Sequence, residues 1–261
     1  MNDSPVIVER RGRVLEVTLN RPKANAIDAA TSRIMGDVFA DFRDDPELRC
    51  AILTASGDKF FCPGWDLKAA AEGEAANSDY GVGGFGGLQE LPGLNKPVVA
   101  AVNGLAFGGG FELMISCDII IAAEHATFAL PEIRSGIIAD AATIKLPRRI
   151  PYHVAMEMLF TGRVVDAEEA KHWGFVNEVV PADKLMDRAR EVADLLASGP
   201  PLVYAAIKET VEKTSHLPIS DAFDMLNNRK LKTIDVLYSS EDQLEGAKAF
   251  AEKRDPVWKG R

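Results

Sequence analysis

The chain has 261 residues, 47% hydrophobic and 26% charged, which suits one large soluble domain or one domain with an appendage. Its net charge of −9 argues against a nucleic-acid surface, so an anionic ligand would need locally placed Lys and Arg. Three cysteines, Cys50, Cys62 and Cys117, lack CxxC spacing; they argue against a disulfide framework and fit a reducing cytoplasm.

The opening Met-Asn-Asp-Ser-Pro shows no basic region followed by an apolar core, so no secretory leader is expected. Residues 6–10 and 13–20 flank Arg11-Gly12, and Leu15, Val17 and Leu19 alternate with Glu16 and Thr18. This predicts a hairpin with one buried face. A helix is predicted over 29–42, capped by Asp28, with Ile34, Val38 and Phe42 on its apolar face. Residues 50–54, 98–102 and 118–122 read as short buried strands. The glycine-rich stretch 81–87 lacks a P-loop lysine and reads as a mobile surface loop. The longest apolar stretch, 111–130, is broken by Glu112, Asp118, Glu124 and His125 and is too polar to span a bilayer. Asp166-Ala-Glu-Glu169 and Ser240-Glu-Asp-Gln243 look like helix-opening caps. Strands alternating with helices predict an α/β core over residues 1–180, and the pattern from 181 to 261 is helical.

Three segments carry candidate chemistry. In Phe107-Gly-Gly-Gly-Phe-Glu-Leu-Met-Ile115, three glycines open a helix and Glu112 is the only charged residue. Glycine lets backbone N–H groups approach a ligand, and a helix start presents unpaired N–H donors. Glu112 is either a helix-start glutamate complementing the dipole or a buried acid put to use. Glu132, after Pro131, is either an exposed turn residue or the second member of an acid/base pair whose pKa burial raises. Phe60-Phe-Cys-Pro-Gly-Trp-Asp-Leu-Lys68 reads as a strand-to-helix turn bending at Gly64, able to supply a second N–H to an oxyanion hole. Asp140 reads as a helix cap. The four histidines show no metal-ligand spacing, and no GxSxG elbow is present, so no metal site is expected.

Asn20-Arg-Pro-Lys-Ala-Asn-Ala26, the Phe-x-x-Gly-x-Asp of 61–66, GGGFE, Pro131-Glu132 and the terminal Glu252-Lys-Arg-Asp-Pro, in this order and spacing, resemble the enoyl-CoA hydratase/isomerase (crotonase) superfamily over most of the chain. The resemblance implies a spiral of ββα units with a C-terminal helical trimerisation region, a homotrimer or a hexamer of two trimers, and a coenzyme A thioester substrate with no prosthetic group. It implies an oxyanion hole from the N–H groups of Trp65 and Gly109, with Glu112 and Glu132 as the acid/base pair. Coenzyme A would contact Lys23, Ala24 and the backbone of Asp66 and Leu67, with Lys253 on a phosphate, in cis or across a subunit boundary.

RPKANAID, GWDLKAAAEGEA, AFGGGFEL and AFAEKRDPVWKGR are most similar to the branch whose substrate is the thioester of carnitine. A quaternary ammonium has no N–H to donate, so recognition falls to an anion and an aromatic face. Asp140 is the expected anion, and Trp65, Tyr80 or Phe85 the expected aromatic face. Two features depart from the superfamily pattern: Ala141-Ala142 replaces a common Gly-Gly, and Pro63 precedes Gly64. The Asp140 segment also has an echo of dienoyl-CoA isomerases. A generic enoyl-CoA hydratase, an enoyl-CoA isomerase and a non-catalytic acyl-CoA-binding protein are the alternative functions.

Overall fold

The computed structural model describes residues 4–21, 23–75 and 77–261. Strands β1 (Val6–Arg11) and β2 (Val14–Leu19) form an antiparallel hairpin, with Val8 opposite Val17 and Glu9 opposite Glu16. Helix α1 (Ala29–Asp44) starts where Asp28 caps it, the carboxylate accepting the Thr31 N–H at 2.7 Å.

From there a strand–strand–helix unit repeats three times. It runs β3 (Cys50–Ala55), β4 (Phe60–Cys62), α2 (Leu67–Ala71), then β5 (Val98–Val102), β6 (Leu105–Phe107), α3 (Gly109–Met114). The third is β7 (Ile119–Ala123), β8 (Thr127–Ala129) and, after a 3-10 turn at Pro131–Ser135, α4 (Asp140–Lys145). The first strand of each unit joins a sheet ordered β1-β2-β3-β5-β7-β10, and the second joins one ordered β4-β6-β8-β9. Each repeat therefore advances both sheets by one parallel strand, which is the expected ββα spiral. After α5 (Tyr152–Thr161), β9 (Val165–Asp166) pairs antiparallel with β8; after α6 (Ala167–Trp173), β10 (Glu178–Val180) pairs parallel with β7.

The central strands are apolar throughout because both faces are covered, as parallel strands require. Leu53, Val98, Ala100 and Val102 face a core with Phe39, Phe42, Phe111 and Phe128. Cys50, Ile52, Val99 and Ala101 face α7 (Leu185–Ser198) through Leu185, Ala189 and Ala193. The same helix corrects the expected one-sided burial of the hairpin. Glu16 is buried beneath α7, its carboxylate held by Arg11 at 2.9 Å and Arg190 at 2.8 Å. Of the face expected of α1, Phe42 is buried and Val38 packs against the core, but Ile34 is exposed; Thr31, Ser32, Met35, Gly36 and Phe39 complete the buried side.

That face meets the 81–87 stretch, which is a packed wall rather than a mobile surface loop. Gly83, Gly86 and Gly87 are buried, and the Gly86 N–H donates to Ser32 Oγ at 3.1 Å. The loop backbone comes so close to α1 that a Cβ on Gly87 would lie 2.3 Å from the Gly36 nitrogen.

Helices α8 (Pro201–Thr214), α9 (Ile219–Asn227), α10 (Lys232–Tyr238) and α11 (Asp242–Glu252) follow, with a small cluster of their own around Ala206, Leu231 and Ile234. The chain end folds back on them: Asp242 accepts the N–H groups of Lys259 and Gly260, and Arg49 donates to the Trp258 carbonyl at 2.7 Å. Ser240 Oγ accepts the Gln243 N–H at 3.2 Å, and Asp166 accepts that of Glu169 at 2.8 Å, as the two cap motifs predict. No helix among the described residues is long and apolar enough to cross a membrane.

Candidate active site

Three segments leave the carboxyl ends of the adjacent parallel strands β4, β6 and β8, so the small sheet delivers them to one place. After β4 the chain turns at Gly64, where φ is +102°, and presents Trp65. A one-residue parallel bridge secures this turn: the Ile27 N–H donates to the Gly64 carbonyl at 2.9 Å, and the Asp66 N–H to the Ile27 carbonyl at 2.8 Å. That pattern leaves the Trp65 N–H out of the bridge. After β6, the Gly108 N–H bonds to the Ala129 carbonyl at 2.9 Å, and Gly109 begins α3 with its N–H ahead of the first helical hydrogen bond. The two turns touch, since a Cβ on Gly64 would come within 3.0 Å of the Gly109 nitrogen. Two backbone donors without a protein acceptor among the described residues therefore lie side by side.

Glu112, one turn into α3, is 7% exposed, and its Oε1 accepts the Ala142 N–H at 2.9 Å. After β8, Glu132 reaches back over Gly108, where a Cβ would be 2.6 Å from Oε1; its Oε2 is buried with no hydrogen-bond partner. Burial raises both carboxyl groups. Glu132 moves up to about 7, chiefly by burial and further by the Glu112 charge. Glu112 moves up through burial, with Asp140 adding to the rise, while the Ala142 N–H acts in the opposite direction. Two carboxyls raised by burial, beside two free N–H groups, can move protons while an oxyanion is held.

Both acids line one cavity of about 980 Å³. Trp65, Gly109, Leu67, Tyr80, Phe85 and Asp140 line it too. Phe85 lies over Gly109, where a Cβ would come within 2.4 Å of its ring, and it meets Tyr80 edge-on at 5.4 Å. The lining holds four carboxylates, Glu90, Glu112, Glu132 and Asp140, and among the described residues no Lys, Arg or His.

The family description Enoyl-CoA hydratase/isomerase matches residues 9–261. The chain belongs to the enoyl-CoA hydratase/isomerase family. The Carnitinyl-CoA dehydratase of Citrobacter koseri is 56% identical over 253 residues, covering 97% of each chain. That of Proteus mirabilis is 56% identical over 252 residues, covering 96% of this chain and 97% of its own. Among solved structures, an enoyl-CoA hydratase from Mycobacterium marinum superimposes with a TM-score of 0.89 at 38% identity, covering 98% of this chain and 99% of that one. One from Bacillus anthracis gives 0.89 at 34% identity, covering 99% and 100%.

Against this family frame, the residues expected to hold coenzyme A divide. Leu67 is 72% exposed at the cavity. The Asp66 N–H donates to the Ile27 carbonyl, and its own carbonyl accepts the Ala70 N–H. Its side chain caps α2 and pairs with Arg21 at 3.0 Å. That ion pair packs the segment bearing Lys23 and Ala24 against the Trp65 turn, although neither residue lines the cavity. Lys253 sits at the end of α11, outside the lining of the cavity of its own chain. Asp140 is the first residue of α4 and makes no side-chain cap, so the helix-cap reading is corrected. The two alanines after it are buried, and Ala142 supplies the N–H that holds Glu112. Two contributors were missed in the sequence: this Ala142 N–H and Glu74, which accepts the Trp65 indole N–H at 2.7 Å. Neither has a local signal beyond, for Glu74, an acid placed nine residues after a tryptophan.

Proposed function

We propose that this family member is a hydro-lyase interconverting a β-hydroxyacyl-CoA with an α,β-enoyl-CoA and water, and that its pair is carnitinyl-CoA and crotonobetainyl-CoA. The observation that carries the chemistry is the meeting of Glu112 and Glu132 with the Trp65 and Gly109 N–H groups in one cavity. In dehydration, one ionised carboxyl takes the α-proton and the thioester becomes an enolate. The two N–H groups stabilise its oxygen by about 3 kcal/mol each. The other carboxyl, protonated, gives its proton to the departing β-hydroxyl, and water leaves. Each carboxylate ends with the protonation state of the other, and hydration runs the same steps backward. The reaction is redox-neutral, so coenzyme A enters as part of the substrate.

Two observations support the carnitine-derived acyl group. The relatives at 56% identity carry that name. The cavity lining has carboxylates and aromatic rings but, among the described residues, no cationic side chain, an environment that favours a quaternary ammonium. Asp140 serves as the anion, with Trp65, Tyr80 and Phe85 as the available aromatic faces. Lys23, Ala24 and Leu67 border the coenzyme, and Lys253 meets a phosphate. A trimer or a pair of trimers is the assembly, supported by the apolar residues exposed on α8–α11. A cytoplasmic location is the reading that three free, buried cysteines support.

The test compares kcat/KM for crotonobetainyl-CoA, crotonyl-CoA and a 3-enoyl-CoA. Preference for the first is expected, and Asp140→Asn raises KM for it at least tenfold more than for crotonyl-CoA. Preference for crotonyl-CoA or the 3-enoyl-CoA overturns the substrate in favour of a generic hydratase or an isomerase. Glu112→Gln is expected to abolish turnover; wild-type protein that binds these thioesters without turning them over is an acyl-CoA-binding protein.

A further inference from the structure

Glu74 lies in the loop after α2, outside the lining of the cavity. Its amide donates to the Ala69 carbonyl at 2.9 Å, which folds the loop back on α2. The carboxylate then reaches two donors. The Trp65 indole Nε1 donates to Oε1 at 2.7 Å, and the Ala29 N–H, the first amide of α1, donates to Oε2 at 3.0 Å. One carboxylate thus ties the Trp65 turn, the start of a 16-residue helix and the loop after α2. A helix N-terminus is a favourable place for that charge.

The Trp65 turn thereby gains a second tie. Its backbone is bridged to Ile27 through the flanking residues Gly64 and Asp66, and Gly64 permits rotation at the bend. The Trp65 N–H shares its peptide plane with the Gly64 carbonyl, so the Ile27 bond orients it from the backbone side, and Glu74 holds Trp65 from the side-chain side. The indole has one polar atom, Nε1, and it is consumed by a carboxylate outside the cavity. Trp65 therefore offers the cavity carbon surface and its backbone N–H.

We infer that Glu74 is a positioning residue: by holding the indole, it fixes the Trp65 N–H in place for the thioester oxygen. The inference rests on Trp65 being an oxyanion donor, as proposed above. It assigns to Glu74 a share of kcat and little of KM, because the oxygen gains charge only as the reaction proceeds. Ångström-scale misplacement of such a donor lowers turnover about 10- to 100-fold.

The experiment uses the full-length protein and whichever of the three thioesters the wild type turns over fastest, with Glu74→Ala, Glu74→Gln, Trp65→Phe and the double variant Trp65→Phe/Glu74→Ala. Glu74→Ala and Trp65→Phe should each lose about 10-fold or more in kcat, with KM within twofold. Glu74→Gln keeps an oxygen that accepts from the indole and should recover most of kcat. The double variant should be no slower than the slower single, because both changes break one tie. Losses that multiply in the double variant, or wild-type kcat in Glu74→Ala, overturn the inference and leave Glu74 as an anchor of α1 alone. If Glu74→Ala does not fold, Trp65→Phe decides, since it leaves the Ala29 hydrogen bond intact; wild-type kcat there overturns the inference. A wild-type protein inactive on all three thioesters overturns the proposed function instead.

Discussion

Glu132 holds a buried oxygen that no donor reaches, and its carboxyl is raised from 4.5 to about 7. Between those values the folded protein keeps a proton that the unfolded chain has released. The stabilisation from that proton is complete below pH 4.5 and is lost as pH rises through 7. At 1.36 kcal/mol per unit, ionising Glu132 in place costs up to about 3 kcal/mol. Glu132→Gln removes the charge and keeps the shape. It should therefore be more stable than wild type at pH 8.5, by up to about 3 kcal/mol, with the gap closing near pH 4.5. Urea denaturation at both pH values checks this; a gap independent of pH would show that burial does not set the titration of Glu132. The acids were legible in the sequence because each stands alone in an apolar run. Their partners were not, since Ala142 reaches Glu112 through a backbone N–H thirty residues away, which no side chain advertises.

Helix α1 shows what local pattern resolves and what it misses. Asp28 and the helix start were legible because a cap is chosen by residues within one turn. The buried face was legible only in part, at Val38 and Phe42, because what lies opposite its first half is the backbone of the 81–87 wall. Such a neighbour calls for small and hydroxyl residues, so Ser32 and Gly36 turn inward and Ile34 turns out. Two substitutions separate these roles. A Cβ on Gly36 would meet its nearest loop atoms at 3.5 Å, an ordinary contact, and alanine favours a helix interior by up to about 1 kcal/mol. Gly36→Ala should be neutral or stabilising by that amount. A Cβ on Gly87 would lie 2.3 Å from the Gly36 nitrogen, at a φ of +76°. Gly87→Ala should cost about 2–3 kcal/mol and, by shifting Phe85 off Gly109, lower kcat as well. Urea melts of the two variants test the pair, and equal stabilities would mean that the wall yields.

At the scale of the molecule, the α/β core was legible from alternating strands and helices and the ββα spiral only from the family resemblance, because the pairing of strands into two sheets depends on contacts that no local window contains. The C-terminal helices leave a surface that a lone chain does not explain. Ile219 is 78% exposed, Phe223 59%, Val211 62% and Phe250 87%. Apolar exposure on this scale marks an interaction surface. If its partners are further copies of the chain, sedimentation at micromolar concentration should show three or six subunits, and Phe250→Asp should yield smaller species with unchanged helix content. Lys253 lies three residues beyond Phe250, at the end of the same helix and outside the lining of the cavity of its own chain. If Lys253 meets a phosphate as proposed, Lys253→Ala should leave the assembly intact and raise KM for the thioester about 3- to 10-fold, the loss of one charge-assisted contact. A contact made across the subunit boundary adds a second consequence: Phe250→Asp should raise KM too, in proportion to the fraction dissociated. A Phe250→Asp protein that dissociates and keeps its KM places Lys253 outside the neighbour's site.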